Sequence, residues 1–166
     1  AQERLWIAVR GALYRYTAGK PPQRVDPLSQ WLIHPLEVES GPDGRMYART
    51  FGEGLFRIDQ NTLAVTRVPM EQTSQRVLWG SQLTLHGGIF WYASDGGLQW
   101  LNKDHDRFEA VPGVSGDRAV NAFDFTADGI WMARPDGLEH YHYQGDGLVL
   151  DRTVDAAHGW PSVDVV

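Results

Sequence analysis

The sequence predicts an all-β protein: a β-propeller of about four blades, each a four-stranded antiparallel meander. Three observations carry this reading. The 166 residues include 18 Gly and 9 Pro, and no stretch free of both exceeds 14 residues (55–68 and 98–111). Long helices are thereby excluded, and the breaks fall at strand spacing. Seven Trp, six Tyr and six Phe supply the rings that pack well on a pleated surface. Finally, four segments repeat one another around Ala8, Ala48, Ala93 and Ala133, each followed by a short turn and an anchor leucine, Leu13, Leu55, Leu98 or Leu138. The anchors are 42, 43 and 40 residues apart, and four-strand units of about 40–45 residues are the mark of a propeller.

Each element follows from local chemistry. The first repeat is partial and enters at its second strand; residues 20–32 are too irregular to place. The second runs through strands at 36–39, 45–50, 55–59 and 63–68, with turns at Pro42-Asp-Gly44 and Gln60-Asn61. The third has strands at 82–85, 89–94, 98–102 and 107–111, with Gly87-Gly88 and Asp95-Gly-Gly97 between them. In the fourth, 120–126, 130–134, 138–143 and 148–154 are strands separated by Asp-Gly turns. Asp-Gly and Gly-Gly supply the positive φ of tight hairpins. Approximate blades are 1–33, 34–79, 80–117 and 118–157 of a single domain spanning 1–166, with 158–166 as a closing strand or the first strand of a next blade. A lone meander has two faces and no core, so its aromatic strands must be sandwiched between neighbours. Trp6, Met46, Trp91 and Trp131 share one repeated position and are expected in those layers. The chain is either a complete small ring or a fragment, such as half of a larger propeller. A β-sandwich or open solenoid explains the constant repeat length less well.

Composition narrows the function classes. The formal charge is -6, from 15 basic and 21 acidic residues, and the Lys/Arg residues are scattered, so nucleic acid is not an expected partner. There is no Cys, which removes disulfides, thiolate metal sites and thiol catalysis. The longest apolar runs, residues 5–9 and 89–93, are far short of the ~20 residues of a membrane span, and the sequence contains no signal peptide.

Propeller ligands bind at the mouth of the central channel, on loops of successive blades. With 120–126 as an inner strand, the turns between second and third strands share one rim and carry Arg10, Arg49, Phe51, Glu53, Asp95, Arg134 and Asp136. Such a ring of Arg and carboxylates would hold a polar or anionic ligand through charge-assisted hydrogen bonds; equally, hairpin turns are polar because they are exposed. His140 and His142, two apart on a strand, share a face, but His158 or Asp146 would have to complete a metal site, and no metal or other cofactor is expected. Asn102-Lys-Asp104-His-Asp106 lacks the Gly and Glu of a calcium loop and reads as a turn. There is no nucleophile elbow, so no catalytic residue is assigned.

The segments Trp91-Tyr-Ala-Ser-Asp-Gly-Gly-Leu98, Val120-Asn121-Ala-Phe-Asp-Phe-Thr-Ala-Asp128-Gly129-Ile-Trp131 and His158-Gly159-Trp160-Pro161-Ser162 resemble the repeat of the two-component regulator propeller family. The resemblance covers nearly the whole chain; departures are the missing Thr after Ala, Met46 for Trp, and Ala12 for the turn Gly. It implies a non-catalytic, ligand-sensing propeller: the periplasmic or other extracytoplasmic input region of a bacterial signalling protein, ahead of a histidine kinase or diguanylate cyclase output domain. Carbohydrates or other small molecules are the ligands it implies. A propeller enzyme (a glycan lyase or hydrolase, or a lactone lyase) and a protein-interaction scaffold are the alternatives. Open blade edges would also favour self-association.

Overall fold

The computed structural model describes residues 4–9, 11–25, 35–50, 54–70, 82–104, 106–116 and 118–160. These residues form an all-β fold of four antiparallel meander sheets, the repeating unit of a propeller, each with its strands in sequence order. The first sheet has three strands, β1 (Arg4–Val9), β2 (Ala12–Thr17) and β3 (Gln23–Arg24). The second contains β4 (Pro35–Ser40), β5 (Met46–Thr50), β6 (Gly54–Ile58) and β7 (Val65–Arg67). The third contains β8 (Gln82–His86), β9 (Ile89–Ser94), β10 (Gly97–Asn102) and β11 (Arg107–Ala110). The fourth contains β12 (Ala122–Phe125), β13 (Gly129–Arg134), β14 (Gly137–Gln144) and β15 (Gly147–Val154). The β8–β9 turn is the one its dipeptide requires: Gly87 and Gly88 have φ 59° and 74°, values that a two-residue hairpin of the mirror-image type needs at both positions, whereas Gly129 and Gly147, each preceded by Asp, do not take positive φ. At the other end, His158 lies in a one-turn 3₁₀ segment, Ala156–His158, capped by Asp155. Residues 161–166 lie outside the described residues.

The chain divides into two compact units, one built on the first two sheets and one on the last two, with the β8–β9 turn and Phe90 counted in the first. In the first unit, Leu13 and Val25 meet Met46, Ala48, Phe56 and Ile58, with Trp6 and Val38 at the margin. In the second, Trp91, Ala93 and Leu98 pack against Phe123, Ile130, Met132 and Tyr141. The Trp91 ring meets Trp100 at 5.5 Å and Phe125 at 5.4 Å, both edge-on, an arrangement in which such pairs each add about 0.5–1.5 kcal/mol beyond area burial.

The strand register corrects one equivalence. Ala8, Ala93 and Ala133 pair across their hairpins with Leu13, Leu98 and Leu138, but the partner of Leu55 is Arg49, not Ala48. Tyr47, not Met46, therefore occupies the place of Trp91, and Met46 and Ala48 lie on the other face. The β5–β6 hairpin spans one residue more than the others, because Thr50 pairs with Gly54, whereas Ser94 pairs with Gly97 and Arg134 with Gly137. Side chains alternate with period two, so a slip of one residue reverses every face. With the register corrected, both units obey one packing rule: the Trp face of the earlier sheet (Trp6, Trp91) is covered by the alternate face of the later one (Met46 and Ala48; Ile130 and Met132).

A candidate ligand cleft built on buried ion pairs

Of the seven rim residues the sequence singles out, Arg10, Phe51 and Glu53 lie outside the described residues. Arg49 sits on β5, largely buried, with Nε 3.1 Å from Glu37 Oε2 on the paired strand β4. Asp95 is half-buried in the β9–β10 turn. Arg134 and Asp136, at the end of β13 and in the turn that follows, belong to one cluster that also includes three residues not anticipated: Arg118, Glu139 and Tyr141.

The cluster is organised by Glu139. On β14 this residue pairs with Met132, and Tyr141 pairs with Ile130, so its carboxylate falls on the face that lines the core. A carboxylate buried there must be paired, and it is. Arg134 Nε donates to Oε2 at 2.6 Å, Arg118 Nη1 to Oε1 at 2.5 Å, and the Tyr141 hydroxyl to Oε2 at 3.0 Å. Arg118, from the segment joining the third and fourth sheets, also grips both carboxylate oxygens of Asp136 at 2.7 and 2.8 Å. Its own carbonyl accepts a hydrogen bond from Arg134 Nη1 at 2.7 Å. The Arg134 side chain has no solvent exposure, and its Nη2 has no hydrogen-bond partner. Arg134, Asp136, Glu139 and Tyr141 fall within eight residues of one hairpin; Arg118 is reached by tertiary folding. A sequence signal for Glu139 did exist, since an acidic residue on the core-facing register of a strand demands a cation.

Electrostatics follow from this geometry. Burial alone would raise the Glu139 carboxyl, but the hydrogen bond and charge of Arg134, with Tyr141 and Arg118, hold it below its ordinary value. Burial would likewise lower the Arg118 guanidinium, yet Glu139 and Asp136 raise it. Burial pushes the Tyr141 hydroxyl upward, so it remains a donor. A carboxyl whose folded-state pKa is depressed contributes stability that is fully present above its unfolded value and is lost as pH falls through the folded value. The melting temperature is therefore expected to fall on acidification below the ordinary Glu value of 4.5, and a Glu139→Gln variant should show a lower melting temperature with a shallower acid limb. Equal acid limbs in the two proteins, measured by thermal melts across pH 3–6, would remove Glu139 as the source.

Beside this network is a cleft of about 200 Å³ lined by Arg118, Asp136, Gly137, Glu139, Leu150, Thr153 and Asp155. Its wall offers carboxylate acceptors, one guanidinium donor, a hydroxyl and a single apolar side chain. The two strand histidines lie elsewhere. His140 is buried on the opposite face of the same sheet, with Nδ1 3.0 Å from Asp151 Oδ2, its ring 4.8 Å from Trp131, and the Arg152 guanidinium 5.2 Å from the same indole. His158 stands at the cleft margin, its Nδ1 2.8 Å from Oδ1 of the lining residue Asp155. Among the described residues no group of three or more His, Asp or Glu is placed to hold a metal ion, and no helix is long and apolar enough to cross a membrane. Comparison of the chain with protein-family models and with curated proteins finds no match in either.

Proposed function

We propose that the chain is a non-catalytic binding module, the ligand-sensing input region of a bacterial signalling protein working outside the cytoplasm, and that the Arg118–Asp136–Glu139 cleft takes a small polyhydroxylated ligand such as a sugar. The observation that carries the reading is the cleft lining: acceptors and a donor already held in place by a buried ion pair. Such preorganisation lowers the ordering cost of binding a polar ligand, and the small volume suits one ring better than a drug-sized molecule. The resemblance of the repeat to the two-component regulator propeller family supports the sensory role, with a signalling output domain elsewhere in the full-length protein.

Binding is favoured over hydrolysis by the state of the carboxylates. A glycosidase general acid needs a carboxyl kept protonated by a raised pKa, whereas Glu139 is held ionised by two guanidinium groups. The test is calorimetric titration of a panel of neutral and acidic mono- and disaccharides into the native chain and an Arg118→Ala variant. Arg118 is chosen because its side chain is 41% exposed, so removing it opens the cleft wall while Arg134 still neutralises Glu139. A loss of about tenfold or more in affinity is expected, corresponding to one charge-assisted hydrogen bond. Equal affinity in the two proteins would discard the cleft, and turnover of any panel member would discard the non-catalytic reading.

A further inference from the structure

A second surface, independent of the cleft, points to assembly of the chain with itself. The packing rule of the two units assigns a cover to each sheet face. In the first sheet, Trp6 faces the second sheet, and Leu5, Ile7 and Val9 alternate to the other side, joined there by Tyr16, the cross-strand partner of Leu5. By the rule, that side should be covered by the Trp face of a preceding sheet. It is open instead: Leu5 is 58% exposed, Val9 43%, and Ile7 and Tyr16 37% each. A contiguous apolar patch of this kind on a sheet marks an interaction surface.

The fourth sheet presents the matching half. Trp131 occupies the place of Trp91, and its face carries Ala133, His142 and, across the β14–β15 pairing, Val149, which is 39% exposed. The two sheets, counted over both faces, also differ in charge, with Arg152 the cation standing over the Trp131 ring itself. Between Arg4 and Val25 the sequence has five basic residues and no acidic one, whereas between Ala122 and Asp155 it has seven carboxylates against two arginines. Opposite fields of this size steer encounter and fix orientation.

We infer that the first sheet of one copy docks its Leu5–Ile7–Val9 side onto the Trp131 face of the fourth sheet of a second copy, repeating between chains the packing found within each unit. The interface is heterologous, with different surfaces on the two partners, so it either closes with two copies or extends into longer chains.

Sedimentation velocity of the native chain tests this with two exposed-site variants, Ile7→Asp and Val149→Asp. The native protein is expected to exceed the 18.7 kDa of one chain at about 100 µM, with an association weakened several-fold as salt rises from about 50 to 300 mM. Each variant alone should be monomeric. An equimolar mixture should recover a dimer, because the intact first sheet of the Val149 variant meets the intact fourth sheet of the Ile7 variant. A monomeric native protein, a Val149→Asp variant that assembles like the native one, or a mixture that stays monomeric would each overturn the inference. Leu5→Asp replaces Ile7→Asp if circular dichroism shows the latter unfolded, and Trp131→Glu likewise stands in for Val149→Asp.

Discussion

Replacing Glu139 by alanine is expected to destabilise the second unit by about 3–5 kcal/mol, the cost of breaking a buried ion pair by deleting one member. The size comes less from the lost attraction than from what remains. The Arg134 side chain is fully buried, its Nη2 already lacks a partner, and Nε would lose its acceptor. One Nη1 would be left donating to the carbonyls of Arg118 and Ala119. The Tyr141 hydroxyl would be orphaned as well. Denaturant titration of Glu139→Ala should show the loss, while a double variant, Arg134→Leu with Glu139→Leu, should recover most of it, since apolar replacement of both members of a buried pair is often near neutral. If the single variant melts within about 1 kcal/mol of the native protein, the pair behaves as a solvated surface contact and the electrostatic frame of the cleft is wrong.

The second large effect lies at Gly113. Its φ is 84°, and a Cβ there would stand 1.7 Å from the Leu148 carbonyl oxygen. The neighbouring backbone hydrogen bond, Leu148 N–H to Pro112 carbonyl at 2.9 Å, holds β15 at that distance. Relief requires the strand to move, because the colliding atom is backbone. Gly113→Ala is therefore expected to cost on the order of 3–5 kcal/mol, from overpacking and left-handed strain together. Gly88 provides the control: at φ 74° with no atom within 4 Å, Gly88→Ala should cost about 1–2 kcal/mol, the conformational penalty alone. Equal losses at the two positions, read from urea midpoints, would mean that β15 yields to the added methyl.

Hairpins are local, and most of them were legible in the sequence. Gly87-Gly88 specifies its own backbone angles, Gly and Asp punctuate the other turns, and the anchor leucines mark the strands that follow, so the meanders can be counted from the sequence. The shared position assigned to Trp6, Trp91 and Trp131 holds in the three hairpins of usual length, each two residues before an alanine paired with its anchor leucine. It failed at Met46 and Ala48, where resemblance to Trp-x-Ala was stronger than the register. There a single added residue in the turn reverses the faces, and residue type alone cannot detect it.

The cleft was legible only in outline. Arg134 and Asp136 are turn neighbours, so their sequence proximity was informative. Their partner Arg118 comes from another segment, and the 2.5 and 2.7 Å contacts that join it to Glu139 and Asp136 exist only once that segment folds back on the fourth sheet. Short-range rules of turn chemistry, period-two alternation and repeat spacing settle within one hairpin, and the order of residues therefore dictated strands, turns and their fourfold recurrence. Which charged side chains became buried partners was left to packing, because charges distant along the chain acquire a strong interaction only when folding brings them within a few ångströms and removes the water between them.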